Sequence, residues 1–268
     1  MQTFQYNKTT IAYDVFGAGE PLVLLHGFCE DSTIWDKVIK SIDAQIIRID
    51  LPGFGQSELL ENLTIPMMAD IVAAVLDHLK IKTCIMIGHS MGGYVSLAFA
   101  EKYADRLIGL GLFHSHPYED PKDKKAARDK SIDFIQRNGH IHFVKQLIPQ
   151  LFLYGSRKSN TFEIESLTHK ASLLSPETII ASLQAMRDRA DHSALLANLT
   201  CPVLMIIGLE DAVIPATVNL EQTALPTIGS IHLLAAAAHI CMLEMPALSQ
   251  KIINDFLVFC MTTPVEQI

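Results

Sequence analysis

A serine stands between two glycines at the point where an apolar run meets a helical pattern. The stretch "CIMIGHSMGGYVSLAF", residues 84–99, places Ser90 two positions after Gly88 and two before Gly92. A serine hydroxyl is a poor nucleophile unless it projects from the backbone and a base takes its proton. A tight strand-to-helix turn achieves this projection, and glycines on either side relieve the crowding. The spacing therefore predicts a nucleophilic serine, with N–H groups of the following helix near the developing oxyanion.

Polar residues also follow four other apolar runs. His26 comes after "PLVLL", Asp50 after "QIIRI", Asp211 after "CPVLMIIGLE" and His239 after "IHLLAAAA". In an open parallel sheet, ligands bind at the carboxyl ends of the strands. If these runs are parallel strands, their polar residues and Ser90 share one edge of the sheet. A serine, a histidine and a carboxylate are the groups that nucleophilic catalysis requires.

The elements that must position these residues alternate along the chain. Short apolar runs such as "TTIAYDVF" (9–16) predict strands. Apolar residues spaced along one helical face predict helices at 64–80, 94–105 and 246–261. This alternation predicts an α/β fold with a mostly parallel central sheet flanked by helices.

One segment, residues 118–199, interrupts the alternation. It contains helical patterns and no strand-like run flanked by glycine turns. We expect it to form a helical lid, inserted into a core domain made of residues 1–117 and 200–268. The charges of "KDKKAARDK" (122–130) are interpreted as the solvated face of a lid helix.

Taken together, the motifs resemble the α/β-hydrolase superfamily over nearly the whole chain. The resemblance rests on five stretches: "HGF" (26–28), "DLPGFGQS" (50–57), "GHSMGG" (88–93), "GLEDAVIP" (208–215) and "AHICMLEMP" (238–246). It implies the α/β-hydrolase fold and the serine-nucleophile branch, with carboxylesterases and enol-lactonases among the similar proteins.

The resemblance implies a catalytic role for three residues. Ser90 corresponds to the nucleophile, His239 to the general base, and Asp211 to the carboxylate that holds the histidine in the required tautomer. Glu210 remains the alternative acid because it lies beside Asp211. Ala238 departs from the family pattern, since related sequences often have glycine before this histidine.

The resemblance also implies an oxyanion hole made by the backbone N–H groups of Phe28 and Met91. Candidate pocket residues come from a further strand end and from the apolar residues of the insert: His114, Phe143, Phe152 and Tyr154. A pocket of this character favours a small ester, thioester or lactone with a hydrophobic acyl part.

We therefore expect a carboxylesterase-like serine hydrolase that works through an acyl-enzyme. Two other reactions use the same triad on this fold, namely carbon–carbon bond hydrolysis and cofactor-free perhydrolysis, and both remain alternatives. A small-molecule receptor on the hydrolase fold is the alternative that is not a conventional enzyme.

The composition of the chain and the motifs that it lacks exclude several other partners, locations and cofactors. A net charge of −8 argues against a nucleic-acid backbone or an anionic membrane surface as partner. The five cysteines form no CxxC pair, the amino terminus lacks a signal-peptide pattern, and no apolar run reaches the roughly 18 residues of a membrane helix. No nucleotide-binding or HExxH motif occurs. We expect a cytoplasmic enzyme that uses neither a cofactor nor a metal.

Overall fold

The computed structural model describes residues 1–263, in which eight strands form a single sheet. The strands are β1 (Gln2–Tyr6), β2 (Thr9–Phe16), β3 (Pro21–Leu25), β4 (Gln45–Ile49), β5 (Cys84–His89), β6 (Leu107–Phe113), β7 (Val203–Gly208) and β8 (Gly229–Leu234). Their order across the sheet is β1-β2-β4-β3-β5-β6-β7-β8. β1 and β2 run antiparallel to their neighbours, and all other pairs are parallel. The predicted mostly parallel sheet is confirmed.

Helices flank the sheet and connect its strands. They are α1 (Ile65–His78), α2 (Met91–Tyr103), α3 (Lys122–Asn138), α4 (His140–Leu147), α5 (Thr161–Ser172), α6 (Pro176–Arg187), α7 (Ser193–Asn198), α8 (Ala216–Glu221), α9 (Cys241–Glu244) and α10 (Pro246–Thr262). Within residues 1–263, no helix is long and apolar enough to cross a membrane.

The centre of the sheet forms the core. Every residue of β5 and β7 is buried, as expected for parallel strands covered on both faces. Thr64 caps the amino end of α1, where its hydroxyl accepts the Met67 N–H, and the apolar face of α1 packs against α2. α2 in turn packs on β5, which fixes the strand-to-helix turn between them.

Five helices, α3 to α7, lie between β6 and β7, and the described segment between these two strands contains no strand. α3 packs against α4 and α6, so the inserted helices form a small layer of their own. Hydrogen bonds connect this layer to the loop after β8 and to α9. The His239 N–H donates to the Leu151 carbonyl oxygen at 3.0 Å, and the Leu153 N–H donates to Glu244 at 2.8 Å.

Candidate active site

The turn between β5 and α2 holds Ser90 in a strained backbone conformation. Its φ of 50° and ψ of −114° lie outside the regions that side-chain-bearing residues favour. A Cβ atom on Gly88 would lie 2.2 Å from the Gly92 carbonyl oxygen, and one on Gly92 would lie 2.7 Å from the His26 carbonyl oxygen. Only glycine fits at both positions, so the turn depends on the two glycines around the serine.

The structure brings Ser90, His239 and Asp211 into one hydrogen-bonded row. His239 Nε2 lies 2.9 Å from Ser90 Oγ, and His239 Nδ1 lies 2.7 Å from Asp211 Oδ2. The other Asp211 oxygen accepts the N–H groups of Val213 at 2.8 Å and Ile214 at 3.0 Å. The carboxylate is therefore fixed on both sides, while Glu210, the alternative acid, is exposed.

The charge of Asp211 sets the tautomer of its partner. Burial alone would raise the pKa of this carboxyl, but attraction and hydrogen bonding to His239 and the backbone N–H bonds lower it to about 2. An ionised carboxylate only accepts hydrogen bonds, so His239 Nδ1 carries the proton that it donates to Asp211. The Nε2 lone pair of a neutral imidazole then faces the Ser90 hydroxyl.

Two backbone N–H groups near Ser90 have no acceptor among residues 1–263. Met91 is the first residue of α2, where an N–H has no partner within the helix. Phe28 lines the same cavity as Ser90, and its N–H is likewise free. The preceding N–H, that of Gly27, is by contrast bound to Glu30 at 2.8 Å. These are the two groups to which the resemblance to α/β-hydrolases assigned an oxyanion hole.

A buried pair behind this row was not anticipated from the sequence. His89 Nδ1 lies 3.0 Å from Glu30 Oε2, and His89 Nε2 lies 2.8 Å from the His239 carbonyl oxygen. The same Glu30 oxygen accepts the Gly27 N–H. The pair thus joins the Gly27–Phe28 loop, the residue before Ser90 and the backbone of His239. The sequence feature that could have indicated this pair is Glu30, an acid four residues after His26.

His26 and Asp50 lie at the same sheet edge but order loops. His26 Nε2 accepts the Leu51 N–H at 2.9 Å. Asp50 accepts the N–H groups of Ser32 and Gln56, both at 2.9 Å. Neither residue lines the cavity beside Ser90.

A cavity of about 430 Å³ opens onto Ser90 and His239. Of the four candidate pocket residues, Phe143 lines it, with its ring edge-on to Phe28 at 6.3 Å. The prediction for Phe152 was wrong, because this ring is fully buried in the hydrophobic core. The prediction for Tyr154 was also wrong, because its side chain is 84% exposed on the outer surface of the insert.

The prediction for His114 fails for a different reason. This side chain is fully buried behind Asp211, with Nδ1 3.9 Å from Asp211 Oδ2, and it does not line the cavity. Its Nδ1 accepts the Gly208 N–H at 3.2 Å. Burial, followed by repulsion from neighbouring histidines, holds the pKa of His114 well below its usual value despite the attraction of Asp211. The His114 imidazole is therefore neutral and enclosed, and it lies outside the lining of the cavity.

The interpretation of "KDKKAARDK" as a solvated face was wrong for part of α3. Lys124, Arg128 and Lys130 line the cavity, together with Phe134 on the same helix. His116 also lines the cavity, and its Nε2 lies 3.4 Å from the hydroxyl of another lining residue, Tyr94.

Residues 1–263 contain no cluster of His, Cys, Asp and Glu that could hold a metal ion.

The chain is similar to known proteins along most of its length. Residues 20–122 match the family of the alpha/beta hydrolase fold. A putative 2-succinyl-6-hydroxy-2,4-cyclohexadiene-1-carboxylate synthase of Bacillus subtilis (strain 168) is 29% identical over 254 residues, 90% of this chain and 91% of that protein. A 2-hydroxy-6-oxononadienedioate/2-hydroxy-6-oxononatrienedioate hydrolase of Burkholderia vietnamiensis (strain G4 / LMG 22486) is 26% identical over 264 residues, 92% and 90% of the two chains.

A solved structure shares the whole architecture. The thermophilic esterase from Thermogutta terrifontis is 28% identical, with a TM-score of 0.92 over 98% of this chain and 100% of that chain. The eight-stranded, mostly parallel sheet with its flanking helices agrees with these comparisons. The chain has the α/β-hydrolase fold and is similar to α/β-hydrolases along most of its length.

Proposed function

We propose that the protein is a serine hydrolase that cleaves a small carboxylic ester, thioester or lactone through an acyl-enzyme. The observation that carries the proposal is the hydrogen-bonded row of Ser90, His239 and Asp211, which opens onto a cavity large enough for a small molecule. A serine that is strained, exposed to a cavity and bonded to a histidine is poised for nucleophilic attack.

In the proposed reaction, Ser90 Oγ forms a bond to the substrate carbonyl carbon while His239 Nε2 takes the serine proton. The N–H groups of Phe28 and Met91 hold the resulting oxyanion. Breaking the carbon–oxygen bond of the ester releases the alcohol, which leaves with the proton from His239. Water then attacks the acyl carbon and gives its proton to the same nitrogen. The bond between Ser90 Oγ and the acyl carbon breaks, Ser90 Oγ takes that proton back, and the acid leaves. Asp211 stays ionised and stabilises the imidazolium.

We also propose that residues 118–199 act as a lid. The cavity is lined on one side by the edge of the sheet that carries Ser90 and on the other by residues of α3, α4 and α6. Enclosing the substrate in this way excludes bulk water and strengthens the electrostatic interactions around the acyl group. The lid assignment predicts that a substitution that loosens these helices lowers turnover and leaves the stability of the sheet nearly unchanged.

The second candidate is hydrolysis of a carbon–carbon bond. It is favoured by the relative from Burkholderia vietnamiensis, a 2-hydroxy-6-oxononadienedioate/2-hydroxy-6-oxononatrienedioate hydrolase that is 26% identical over 92% of this chain. The same serine, base and oxyanion donors serve both reactions, so the two differ in the leaving group. Release of an acid from a diketone substrate, without turnover of esters, would favour this candidate.

The test is turnover of p-nitrophenyl esters of increasing acyl length. We expect Ser90→Ala to lower kcat by at least about a thousandfold. Ser41→Ala, a matched change at an exposed serine, is the control. Retention of most of the activity in Ser90→Ala would contradict the proposed nucleophile. The acyl length with the highest kcat/KM measures the depth of the cavity.

A further inference from the structure

Lys124 brings a positive charge to the cavity without a carboxylate to balance it. Its side chain is half-buried and lines the cavity together with Ser90 and His239. Its Nζ donates to the Val213 carbonyl oxygen at 3.1 Å and forms no ion pair with an acid among residues 1–263. An ammonium group has three N–H donors, so donors remain after this one bond. Val213 lies two residues after Asp211, which ties the ammonium to the turn that carries the triad acid.

The groups around Lys124 increase the positive charge. Arg128 and Arg189 both pair with Asp120, which is buried and lies 2.7 Å from Arg189 Nη1. One carboxylate therefore lies among three cations, of which Lys124 and Arg128 line the cavity. The pKa of Lys124 is lowered, first because burial disfavours the ammonium and second because Arg128 repels it, although Asp120 and Asp211 act in the opposite direction. A bound anion would offset both unfavourable effects.

Arg128 also lines the cavity, and its Nη1 has no oxygen acceptor among residues 1–263. Its Nε pairs with Asp120, but its Nη1 contacts only the Met186 sulfur, at 3.6 Å. Both Arg128 and Met186 line the cavity. His116 on the same wall adds no charge at neutral pH, because burial and then repulsion from Arg189 lower its pKa to about 3.

No acid on the cavity wall is available to neutralise these cations. Glu30 is the one carboxylate among the described lining residues, and it is occupied by the Gly27 N–H and by His89. Much of the remaining surface is apolar, as at Phe134 and Phe143. The cavity therefore combines an apolar stretch with a cationic site on a single wall.

We propose that the substrate carries a free carboxylate, which Lys124 and the Nη1 of Arg128 bind while Ser90 attacks an ester or lactone carbonyl at the other end of an apolar spacer. This rests on the proposed serine hydrolase function and names its substrate class: half-esters of dicarboxylic acids, or lactones that bear a carboxylate. The bonds made and broken are those of the acyl-enzyme reaction, and water is the one co-reactant. Charge-assisted hydrogen bonds to a carboxylate are short and strong in a partly enclosed site.

The first experiment compares two esters that differ only at the far end of the acyl chain. Mono-p-nitrophenyl glutarate carries a terminal carboxylate, and p-nitrophenyl pentanoate carries a methyl group at the same distance. We expect the wild type to prefer the glutarate ester in kcat/KM. We expect Lys124→Met to reduce the ratio of the two values by roughly 10- to 100-fold, the effect of losing one hydrogen bond to a charged group.

Two further variants make the result specific. Lys125→Met changes the charge of α3 by the same amount, but Lys125 pairs with Glu119 and does not line the cavity, so the ratio should stay at the wild-type value. Lys124→Arg keeps a cation at the site and should restore most of the preference. Raising the salt concentration should weaken the preference of the wild type.

Binding of glutarate, measured by calorimetry, tests the site without catalysis. We expect glutarate to bind the wild type and to bind Lys124→Met roughly 10- to 100-fold more weakly. Ser90-dependent turnover without a preference for the glutarate ester, together with equal glutarate binding by both proteins, would overturn the carboxylate site and leave the hydrolase proposal standing. Specific glutarate binding without turnover of either ester would support the site and count against ester hydrolysis.

Discussion

Glu30→Gln is expected to destabilise the protein strongly, because Glu30 belongs to a buried ion pair. His89 Nδ1 faces the Glu30 carboxylate, and His89 Nε2 faces the carbonyl oxygen of His239. Both partners accept hydrogen bonds and neither donates one, so His89 must carry a proton on each nitrogen. The pair is therefore an imidazolium and a carboxylate, both fully enclosed.

A glutamine cannot replace this carboxylate without loss. One Glu30 oxygen, Oε2, accepts both from His89 and from the Gly27 N–H. A glutamine oxygen at that point keeps both contacts but leaves a buried imidazolium without its counter-charge. If His89 becomes neutral instead, one of its nitrogens faces an acceptor without a proton. Removing one partner of a buried ion pair lowers the free energy of unfolding by about 3 to 5 kcal/mol, and we expect a loss of this size.

The loss should depend on pH in a defined direction. Burial alone would lower the pKa of His89, but Glu30 raises it above 6.5; burial alone would raise the pKa of Glu30, but His89 lowers it below 4.5. The contribution of the carboxylate is complete above pH 4.5 and is lost as the pH falls through its lowered pKa. That of the imidazolium is complete below pH 6.5 and is lost as the pH rises through its raised pKa. The difference between wild type and Glu30→Gln should therefore be largest between pH 4.5 and 6.5.

Urea unfolding followed by tryptophan fluorescence measures this difference. Trp35 is the single tryptophan, is fully buried and lies edge-on to Phe113 at 5.3 Å, so its emission reports on the core. Glu61→Gln, at an exposed glutamate, is the matched control and should change stability by less than about 0.5 kcal/mol. A Glu30→Gln loss below about 1 kcal/mol, or one that does not change between pH 5.5 and 9, would refute the buried ion pair.

Two other substitutions test the triad and the turn. Asp211→Asn should lower kcat for p-nitrophenyl acetate by about a thousandfold or more, because the amide no longer enforces the His239 tautomer, whereas Glu210→Gln should leave kcat unchanged; similar losses in both variants would count against Asp211 as the acid. Gly88→Ala should lower the free energy of unfolding by at least about 3 kcal/mol, because its Cβ would lie 2.2 Å from a backbone carbonyl oxygen of α2. Gly155→Ala, with no atom within 4 Å of the added Cβ, should be nearly neutral, and equal melting temperatures for the two glycine variants would contradict the packing argument.

Local sequence patterns correctly predicted the strands and helices whose defining residues are close together in the chain. β2 was predicted at 9–16 and lies at Thr9–Phe16, and α10 was predicted at 246–261 and lies at Pro246–Thr262. β1 was not predicted, because "QTFQY" contains no apolar run and lies at the edge of the sheet with most of its residues exposed. It forms through pairing with β2 across a tight turn at Asn7 and Lys8, whose φ values are 46° and 73°.

Which side chains line the cavity depends on long-range packing, which the sequence patterns do not show. The carboxyl ends of parallel strands meet by geometry, so the proximity of Ser90, Asp211 and His239 followed from recognising the strands. Whether an apolar side chain enters a cavity depends on what packs against it, and sequence does not distinguish the buried Phe152 from the cavity-lining Phe143. Both lie in the insert, and both have the same apolar ring.

The face of α3 that lines the cavity shows the same limit. The sequence shows the helical spacing of its residues but does not show what that face contacts. Six side chains of α3 line the cavity. Besides Lys130, these are five that recur at helical spacing: Lys124, Ala127, Arg128, Ser131 and Phe134. Ile135 continues the same row one turn after Ser131 and is buried. Helical spacing indicates that these five side chains share a face, and a polar face normally meets solvent.

Here the packing of α3 against α4 and α6 turns that face toward Ser90. Charged side chains that line the cavity beside Ser90 must be desolvated when the cavity is filled, so an apolar substrate would bind there at a loss. The polarity that first indicated a solvated surface is therefore the feature of α3 that favours an anionic substrate.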